Sequence, residues 1–355
     1  MRLVETLREA GRNLDTGMTR PMALTLLFAC VLAFCAGMDM YQVADIENRA
    51  QGYRSALSNV QLIKKEGAVD PAACNALTGN TGVGESGALR KGNAIKPLLA
   101  PGFTINTYEV TQPFLGIVQG EGRGTGGLWV SSAVADKLGL HPGSTLETTE
   151  GEMTVDGVYR WPEDGRDTRL GYSALVPVIP DGDFDECWAS IWPLRDDATA
   201  TLRQSLKFST DLSDSQTGQI NYSQGDQFDP HALFETRLTR PLIYTPALLC
   251  FLTAILACRR RRLEIAGYLH AREPKISMMV RMTLEHSACL LLAMSLTVPL
   301  LVTAFLVKGA DLADLTRTSL VPVLLTALLG QVAGSLAGAG GIRERDLFRH
   351  FKNRE

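Results

Sequence analysis

Residues 318–342 read TSLVPVLLTALLGQVAGSLAGAGGI, a run of 25 residues without Asp, Glu, Lys or Arg. Three more uncharged, apolar runs lie at 21–38, 241–258 and 287–307. A helix rises about 1.5 Å per residue, so about 18 to 25 residues reach about 27–37 Å, which matches the hydrocarbon core of a bilayer. The sequence therefore predicts four transmembrane helices and excludes a soluble single-domain protein.

The charges outside these runs predict the orientation of the spans. Residues 259–281 carry seven basic and two acidic side chains, whereas residues 39–240 carry 17 basic and 27 acidic ones. Lys and Arg in short segments beside the spans mark the cytoplasmic side. We therefore expect a multi-pass protein of the cell (plasma) membrane, surrounded by the lipid bilayer, with both termini in the cytoplasm and residues 39–240 outside it.

The expected fold class is a membrane protein of four transmembrane helices with a large α+β extracytoplasmic domain inserted between the first and the second. The predicted segments are a cytoplasmic amphipathic helix (1–20), the first span (21–38), the extracytoplasmic domain with stalk helices (39–240), the second span (241–258), a cytoplasmic coupling segment (259–286), the third span (287–307), an external loop (308–317), the fourth span (318–342) and a cytoplasmic tail (343–355).

A cleaved signal peptide is an alternative interpretation of the first apolar run, because a basic segment before an apolar one also begins such peptides. The segment before the run contains three acids, Glu5, Glu9 and Asp15, and the run is longer than is usual for a signal peptide. Phe34 before Cys35 is also unfavourable for lipoprotein cleavage. We therefore expect the first run to be retained as a span.

The block between the first two predicted spans has sequence patterns of helices, strands and loops. Apolar spacing predicts that the first helix continues as a stalk to Val60 and that a second stalk lies near residues 232–238. Ser131–Leu138 is predicted to be a helix closed by Gly139. Residues 79–92 and 120–127 are predicted to be glycine-rich loops. Strands are predicted at 103–110, 114–118, 128–130, 145–149, 153–159 and 174–178.

Cys74 and Cys187 are the two cysteines outside the predicted spans. In an oxidising compartment we expect a disulfide between them, and two buried thiols are the alternative. Residues 79–86 have the glycine spacing of a phosphate loop, but Glu85 replaces the lysine, and 181–186 resembles a calcium loop with Glu186 in place of glycine. The histidines lack ligand spacing. We expect no metal, no cofactor and no catalytic site in this chain.

The segment after the second span has a more specific order. Residues 261–276 read RRLEIAGYLHAREPKI, with Arg281 and Glu285 following. This order resembles the Arg-Arg-x-Glu-Ile segment of the FtsX/MacB-like, or type VII, ABC transporter permeases. The motifs GLWVS at 127–131 and ADKLGLHPG at 135–143 resemble the MacB-like periplasmic domain. The chain departs from the family at 268–271, where Tyr-Leu-His-Ala replaces the usual Ala-Leu-Gly-Ala.

The resemblance implies a short helix that docks on a cytoplasmic ATPase. The residues that it assigns to this coupling are Arg261, Arg262, Glu264, Ile265, Ala266, Leu269 and Ala271. Because the predicted cytoplasmic segments are too short for an ATPase domain, ATP and Mg are expected on a partner chain. The expected partners are two copies of that ATPase and a second permease copy or a paralogue, and no nucleic acid.

The function that the resemblance implies is that of a permease subunit, not an enzyme, in an ABC exporter. It would transmit conformational change to the outside of the membrane and export a hydrophobic or cationic compound, such as a drug or an antimicrobial peptide. The alternative is a non-transporting regulator that relays force to a cell-wall hydrolase or a sensor kinase. A proton- or ion-coupled carrier is disfavoured, because the predicted spans lack the ionisable groups that such coupling uses.

Overall fold

The computed structural model describes residues 3–122, 126–194, 196–208, 211 and 214–342. The chain divides into two compact units. We call Asn48–Pro230 the α/β unit, and Met1–Glu47 with His231–Glu355 the helical unit. The predicted cytoplasmic tail, 343–355, lies outside the described residues.

The α-helices are named in chain order. In the described residues they are α1 (Leu3–Asp15), α2 (Pro21–Ser55), α3 (Pro71–Ala76), α4 (Phe114–Val118), α5 (Ser132–Leu138), α6 (Ala198–Arg203), α7 (Pro230–Glu235), α8 (Thr245–Arg260), α9 (Arg262–His270), α10 (Lys275–Val307), α11 (Leu312–Leu315) and α12 (Val321–Gly340).

Among the described residues, three helical segments are long and apolar enough to cross a membrane. They are α2, α10 and the continuous stretch Leu312–Gly340, in which a π-helical turn joins α11 to α12. The predicted second span corresponds to α8, which has 16 residues and follows a 3₁₀ turn at Arg240–Ile243. Pro241 and Pro246 lack the backbone N–H that a continuous longer helix would use here.

The first predicted stalk is partly confirmed, and the second is not. Helix α2 has 35 residues, about 52 Å at 1.5 Å per residue, and so is longer than a bilayer core. It ends at Ser55, and Val60 begins a strand instead of continuing the helix. At the predicted second stalk the structure has only the six-residue α7, and the 3₁₀ turn separates it from α8.

Helices α8 and α12 pack closely through glycines. Gly330, Gly334 and Gly338 recur every fourth residue, so they lie on one face of α12. A Cβ atom at Gly330 would overlap the carbonyl oxygen of Ala247, and one at Gly334 that of Phe251. The small-xxx-small pattern therefore lets the two backbones approach, as in membrane helix pairs.

In the described residues, the α/β unit is built on a ten-stranded mixed sheet. The strands are β1 (Val60–Val69), β2 (Val83–Lys91), β3 (Asn106–Thr111), β4 (Glu121–Gly122), β5 (Leu128–Ser131), β6 (Thr145–Thr148), β7 (Gly151–Tyr159), β8 (Ser173–Val178), β9 (Phe184–Ile191) and β10 (Gln216–Gln219). Their order is β10-β1-β9-β2-β3-β8-β5-β7-β4, and β6 pairs with β7. The pairs β3–β8 and β5–β7 are parallel, and the other pairs are antiparallel.

The local predictions inside this unit are mostly confirmed. Strands β3, β5, β6, β7 and β8 overlap the predicted ones, and α5 begins at the Ser131 cap and ends at Gly139, whose φ is +66°. The prediction of a strand at 114–118 is wrong, because this segment is α4. Phe114, Leu115, Ile117 and Val118 are all buried, and a short, fully apolar run does not distinguish a helix from a strand.

The glycine-rich segment 79–92 is also not a loop throughout, since β2 occupies most of it. Gly87 allows this strand to pass under α4, because a Cβ atom there would lie 2.6 Å from the backbone nitrogen of Phe114. The glycines therefore permit close packing here, which the loop interpretation missed.

Cys74 of α3 and Cys187 of β9 form a disulfide in the structure, with their Cα atoms 5.8 Å apart. Both are fully buried, and 113 residues separate them in sequence. Cross-linking a loop of this length stabilises a fold by about 4–5 kcal/mol in the chain-entropy treatment.

Glu186 is a buried charge beside this disulfide, with a side chain that is 2% exposed. Its two carboxylate oxygens accept hydrogen bonds of 2.6 Å from Nη1 and Nη2 of Arg169. The indole N–H of Trp188 donates a third, at 3.0 Å. Burial alone would raise the pKa of Glu186, but the bonds and charge of Arg169, together with Trp188 and Lys64, hold that pKa below its ordinary value.

Candidate functional site: a coupling helix on an ion-paired platform

The segment singled out by its sequence forms α9, a nine-residue helix between α8 and α10. Arg272 follows it with a φ of +60°, and Pro274 caps the start of α10 with an extended backbone. Both conformations are incompatible with a continuing helix. The predicted docking helix is therefore short, because the chain turns at Arg272 and enters α10 at Lys275.

One face of α9 is buried inside the helical unit. Ile265 and Ala266 are fully buried, and Leu269 packs one turn further along the same face. Their neighbours in the cluster are Cys258, Met278, Met279, Met282, Ala339 and Ile342. Ile265 and Ala266 therefore hold the helix in place and do not form an outer surface.

Arg261, just before α9, joins the helix to the base of α10. Its Nε and Nη2 atoms bond both carboxylate oxygens of Glu264, at 2.8 and 2.5 Å, and its Nη1 pairs with Glu285. Glu285 is fully buried, and it also accepts hydrogen bonds of 2.7 Å from Asn13 and from Thr19. One carboxylate therefore connects α9 and α10 with the segment that contains α1.

A second ion-paired cluster lies nearby in the same unit. The Arg281 side chain is 1% exposed; its Nη1 lies 2.5 Å from an oxygen of Glu9 and its Nη2 lies 3.3 Å from one of Glu273. Its guanidinium also lies 4.1 Å from the centroid of the Tyr268 ring. Leaving a buried charge such as Arg281 without its partners is unfavourable, by about 3–5 kcal/mol. We call the clusters around Arg261 and Arg281 the platform.

The opposite side of α9 and the turn after it are exposed. Among the predicted coupling residues, Arg262 and Ala271 are exposed, and Glu264 is partly exposed while it pairs with Arg261. Gly267, His270 and Arg272 extend the exposed surface. The seven predicted residues thus divide between an outer surface and an inner anchor, a division that the sequence motif does not show.

The platform also contains residues to which no role is assigned from the sequence. Arg281 and Glu285 belong to the quoted segment without an assignment, and Glu9, Asn13 and Thr19 are not predicted to take part. The signal in the sequence is a basic and an acidic residue one helical turn apart at the edge of an apolar span. Their partners are about 270 positions away, so only the fold brings them together.

A third buried ion pair lies at the middle of α2. Asp39 is fully buried, and its Oδ1 lies 3.0 Å from Nε of Arg237 and accepts a 2.6 Å hydrogen bond from Thr239. Gln42 accepts a 3.0 Å bond from the backbone N–H of Thr239. These contacts, which we call the clasp, join the two chain segments of the helical unit that flank the inserted α/β unit.

Three long apolar helical segments and a large mixed α/β unit define the class of protein to which this chain corresponds: a membrane protein that carries a folded domain. In the part of the chain that the structure describes, no group of three or more His, Cys, Asp or Glu side chains is arranged to hold a metal ion.

No protein-family model and no curated protein matches the chain. Among solved structures, the periplasmic region of MacB from Actinobacillus actinomycetemcomitans is 12% identical, over 48% of this chain and 94% of that one, with a TM-score of 0.35. The extracellular domain of the noncanonic ABC-type transporter YknZ from Gram-positive bacteria is 14% identical, over 40% and 87% of the two chains, with a TM-score of 0.30. Each of these solved domains therefore matches less than half of this chain.

Proposed function

We propose that this chain is the permease subunit of an ABC-type exporter, with α8 as a fourth span and the α/β unit outside the cytoplasm. ATP and Mg would bind a separate ATPase, of which two copies serve two permease chains, either identical or paralogous. The permease would transmit the ATPase movement across the membrane and export a hydrophobic or cationic compound, such as a drug or an antimicrobial peptide.

The observation that carries this proposal is the construction of α9. The helix is anchored by Ile265 and Ala266 on one face and presents Arg262 on the other. A helix that only oriented the protein would need basic charge and no anchor. An exposed helix fixed to a rigid base is suited to receive a push from a partner and to pass it on.

The platform supplies that rigid base. Because Arg261 binds both Glu264 and Glu285, a displacement of α9 is transferred to α10 through charge-assisted hydrogen bonds. Glu9 and Asn13 extend the same connection to α1. At the middle of α2, the clasp between Asp39 and Arg237 would keep the two connections to the α/β unit moving together.

Two observations support the proposed topology. Helix α8 packs against the glycine face of α12, as closely apposed membrane helices do, so that both can lie in the bilayer. The disulfide between Cys74 and Cys187 fits a domain on the oxidising side of the membrane.

The charge of the extracytoplasmic segment bears on the proposed cargo. The acidic excess of residues 39–240 would attract a cationic cargo.

The test is co-expression with the ABC ATPase that is encoded nearest to this chain. We expect Arg262→Glu to reduce the amount of ATPase that co-purifies by at least tenfold, because it reverses a charge on the exposed face of α9. The matched control is Arg317→Glu, an exposed charge reversal in the π-helical turn before α12, which should leave binding unchanged. Equal effects of the two variants, or an ATPase that never binds, would overturn the proposal.

A second pair of measurements separates docking from transmission. Glu285→Gln weakens the platform and leaves the exposed face of α9 in place, so we expect it to keep ATPase binding and reduce permease-stimulated hydrolysis severalfold. Movement of a cationic peptide or drug into proteoliposomes then distinguishes exporter from regulator. Stimulated hydrolysis without vectorial movement would favour a regulator that relays force to a cell-wall hydrolase or a sensor kinase.

A further inference from the structure

A cavity of about 460 Å³ lies in the helical unit where α2 begins and α8 ends. Its size is within the range of small-molecule sites. Its lining contains both polar and apolar side chains, among them Arg20, Leu27, Leu256, Arg260, Arg261 and His286.

The polar wall contains two arginine side chains without a side-chain partner among the described residues. Arg20 and Arg260 are exposed, and neither has a hydrogen bond or an ion pair with another side chain in the described part of the chain. Arg261 differs, since Glu264 and Glu285 occupy its guanidinium. Those two carboxylates do not line the cavity, so its wall carries an excess of positive charge.

A buried histidine also lines the cavity, and one of its two ring nitrogens lacks a partner among the described residues. His286 is fully buried, and its Nδ1 lies 2.8 Å from the hydroxyl of Ser335. Its Nε2 has no hydrogen-bond partner among the described residues. An unsatisfied buried ring nitrogen costs about 1–3 kcal/mol.

The remaining wall is apolar and continues along the helices. Leu27 and Leu256 are 47% and 58% exposed, and both lie on the helical surface that the proposed topology places in lipid. A ligand that fills both parts must combine an anionic head with a hydrocarbon tail. Basic pockets between helices at the cytoplasmic membrane surface are suited to the head groups of anionic lipids.

We propose that this cavity binds an anionic phospholipid, with its phosphate beside Arg20 and Arg260 and one acyl chain along Leu27 and Leu256. The inference goes beyond the proposed function, although it uses the same membrane placement of α2 and α8. Lipid binding requires no ATPase, so either proposal can fail without the other.

The test is a titration of the purified full-length protein with dioleoyl-phosphatidylglycerol and, separately, with dioleoyl-phosphatidylcholine, followed by native mass spectrometry. We expect the anionic lipid to bind more tightly, and Arg20→Gln and Arg260→Gln each to weaken it about fivefold, as loss of one basic contact near a membrane surface does. Arg259→Gln is the matched control, because Arg259 is the exposed neighbour of Arg260 and does not line the cavity.

Two further arms identify the ligand chemistry. Leu27→Ala should weaken the lipid several-fold, whereas Leu26→Ala, an exposed neighbour outside the cavity, should not. Glycerol 3-phosphate carries the head group without the tail, and we expect it to bind at least a hundredfold more weakly than the lipid. Equal affinity for the two lipids, an equal loss for Arg259→Gln and Arg260→Gln, or binding of glycerol 3-phosphate as tight as that of the lipid would each overturn the proposal.

Discussion

At the scale of single residues, buried carboxylates recur with an arginine partner in both units. Glu186 pairs with Arg169 in the α/β unit, and Glu285 pairs with Arg261 in the helical unit. Each carboxylate also accepts hydrogen bonds from neutral donors, such as Trp188 for Glu186 and Thr19 for Glu285. Burial of a charge is unfavourable unless its lone pairs are satisfied, so these added donors make the pairs tolerable.

The lowered pKa of Glu186 predicts an acid-dependent stability of the α/β unit. Because the folded pKa lies below its ordinary value of 4.5, ionised Glu186 stabilises the fold above the unfolded pKa. This stabilisation is lost as the pH falls through the folded pKa. We expect Glu186→Gln to lower the free energy of unfolding by about 3 kcal/mol at pH 7 and to flatten its decline below about pH 4.5.

Tryptophan fluorescence measures this transition selectively, since all four tryptophans, Trp129, Trp161, Trp188 and Trp192, lie in the α/β unit. Glu109→Gln is a suitable control, because the Glu109 side chain is 32% exposed beside Arg90 and should contribute much less. A decline with acid that is the same for wild type and Glu186→Gln would contradict the assignment.

At the scale of elements, the pairing of α8 with α12 depends on residues that lack a side chain. We expect Gly334→Ala to destabilise the helical unit by about 1–3 kcal/mol, since the added methyl group would overlap the backbone of Phe251. Thermal unfolding in detergent, followed by the helical circular dichroism signal, measures this effect.

Gly340→Ala is the control: it is the same substitution on the same helix, at a position where the added methyl group does not overlap the backbone of another helix. Its Cβ atom would meet only the side chain of Met279, at 3.4 Å, which is an ordinary van der Waals separation. A variant at Gly340 that destabilises the protein as much as Gly334→Ala would show that helix propensity, not backbone approach, determines the effect.

At the scale of the whole molecule, the proposed topology requires α8 to cross the membrane. Three segments of the described residues satisfy the length and composition of a span, and α8 has 16 residues, about 24 Å. If α8 crosses, exposed Leu238 before it and exposed Arg272 after it lie on opposite sides. We expect a membrane-impermeant maleimide to label Leu238→Cys in intact cells, and Arg272→Cys only after permeabilisation.

The background for this labelling is the wild-type chain, in which Cys35, Cys250, Cys258 and Cys289 are buried and Cys30 is exposed on the predicted first span. Labelling of both variants from the same side would place α8 outside the set of spans. In that case the inserted unit and the coupling helix would share one compartment, and the permease proposal would fail with the topology.

Several features follow from local sequence. Each of them depends on residues close together in the chain. They are the apolar runs, the charge asymmetry between 259–281 and 39–240, the α5 helix with its Ser131 and Gly139 caps, and five of the strands. Periodicity and turn chemistry are short-range properties, so a single sequence carries them.

Other features cannot be inferred from local sequence. They are the inner and outer faces of α9, the partners of Glu285 and the helical state of 114–118. Asn13 and Glu285 are 272 positions apart, and no spacing in the sequence indicates that they meet. Residues 114–118 are helical because of what they pack against, since their own apolar run fits a strand equally well. Local composition thus accounts for the apolar runs and for the residue order at 261–276, whereas the anchored helix α9, the clasp and the cationic cavity arise from contacts between distant segments, which exist only once the chain has folded.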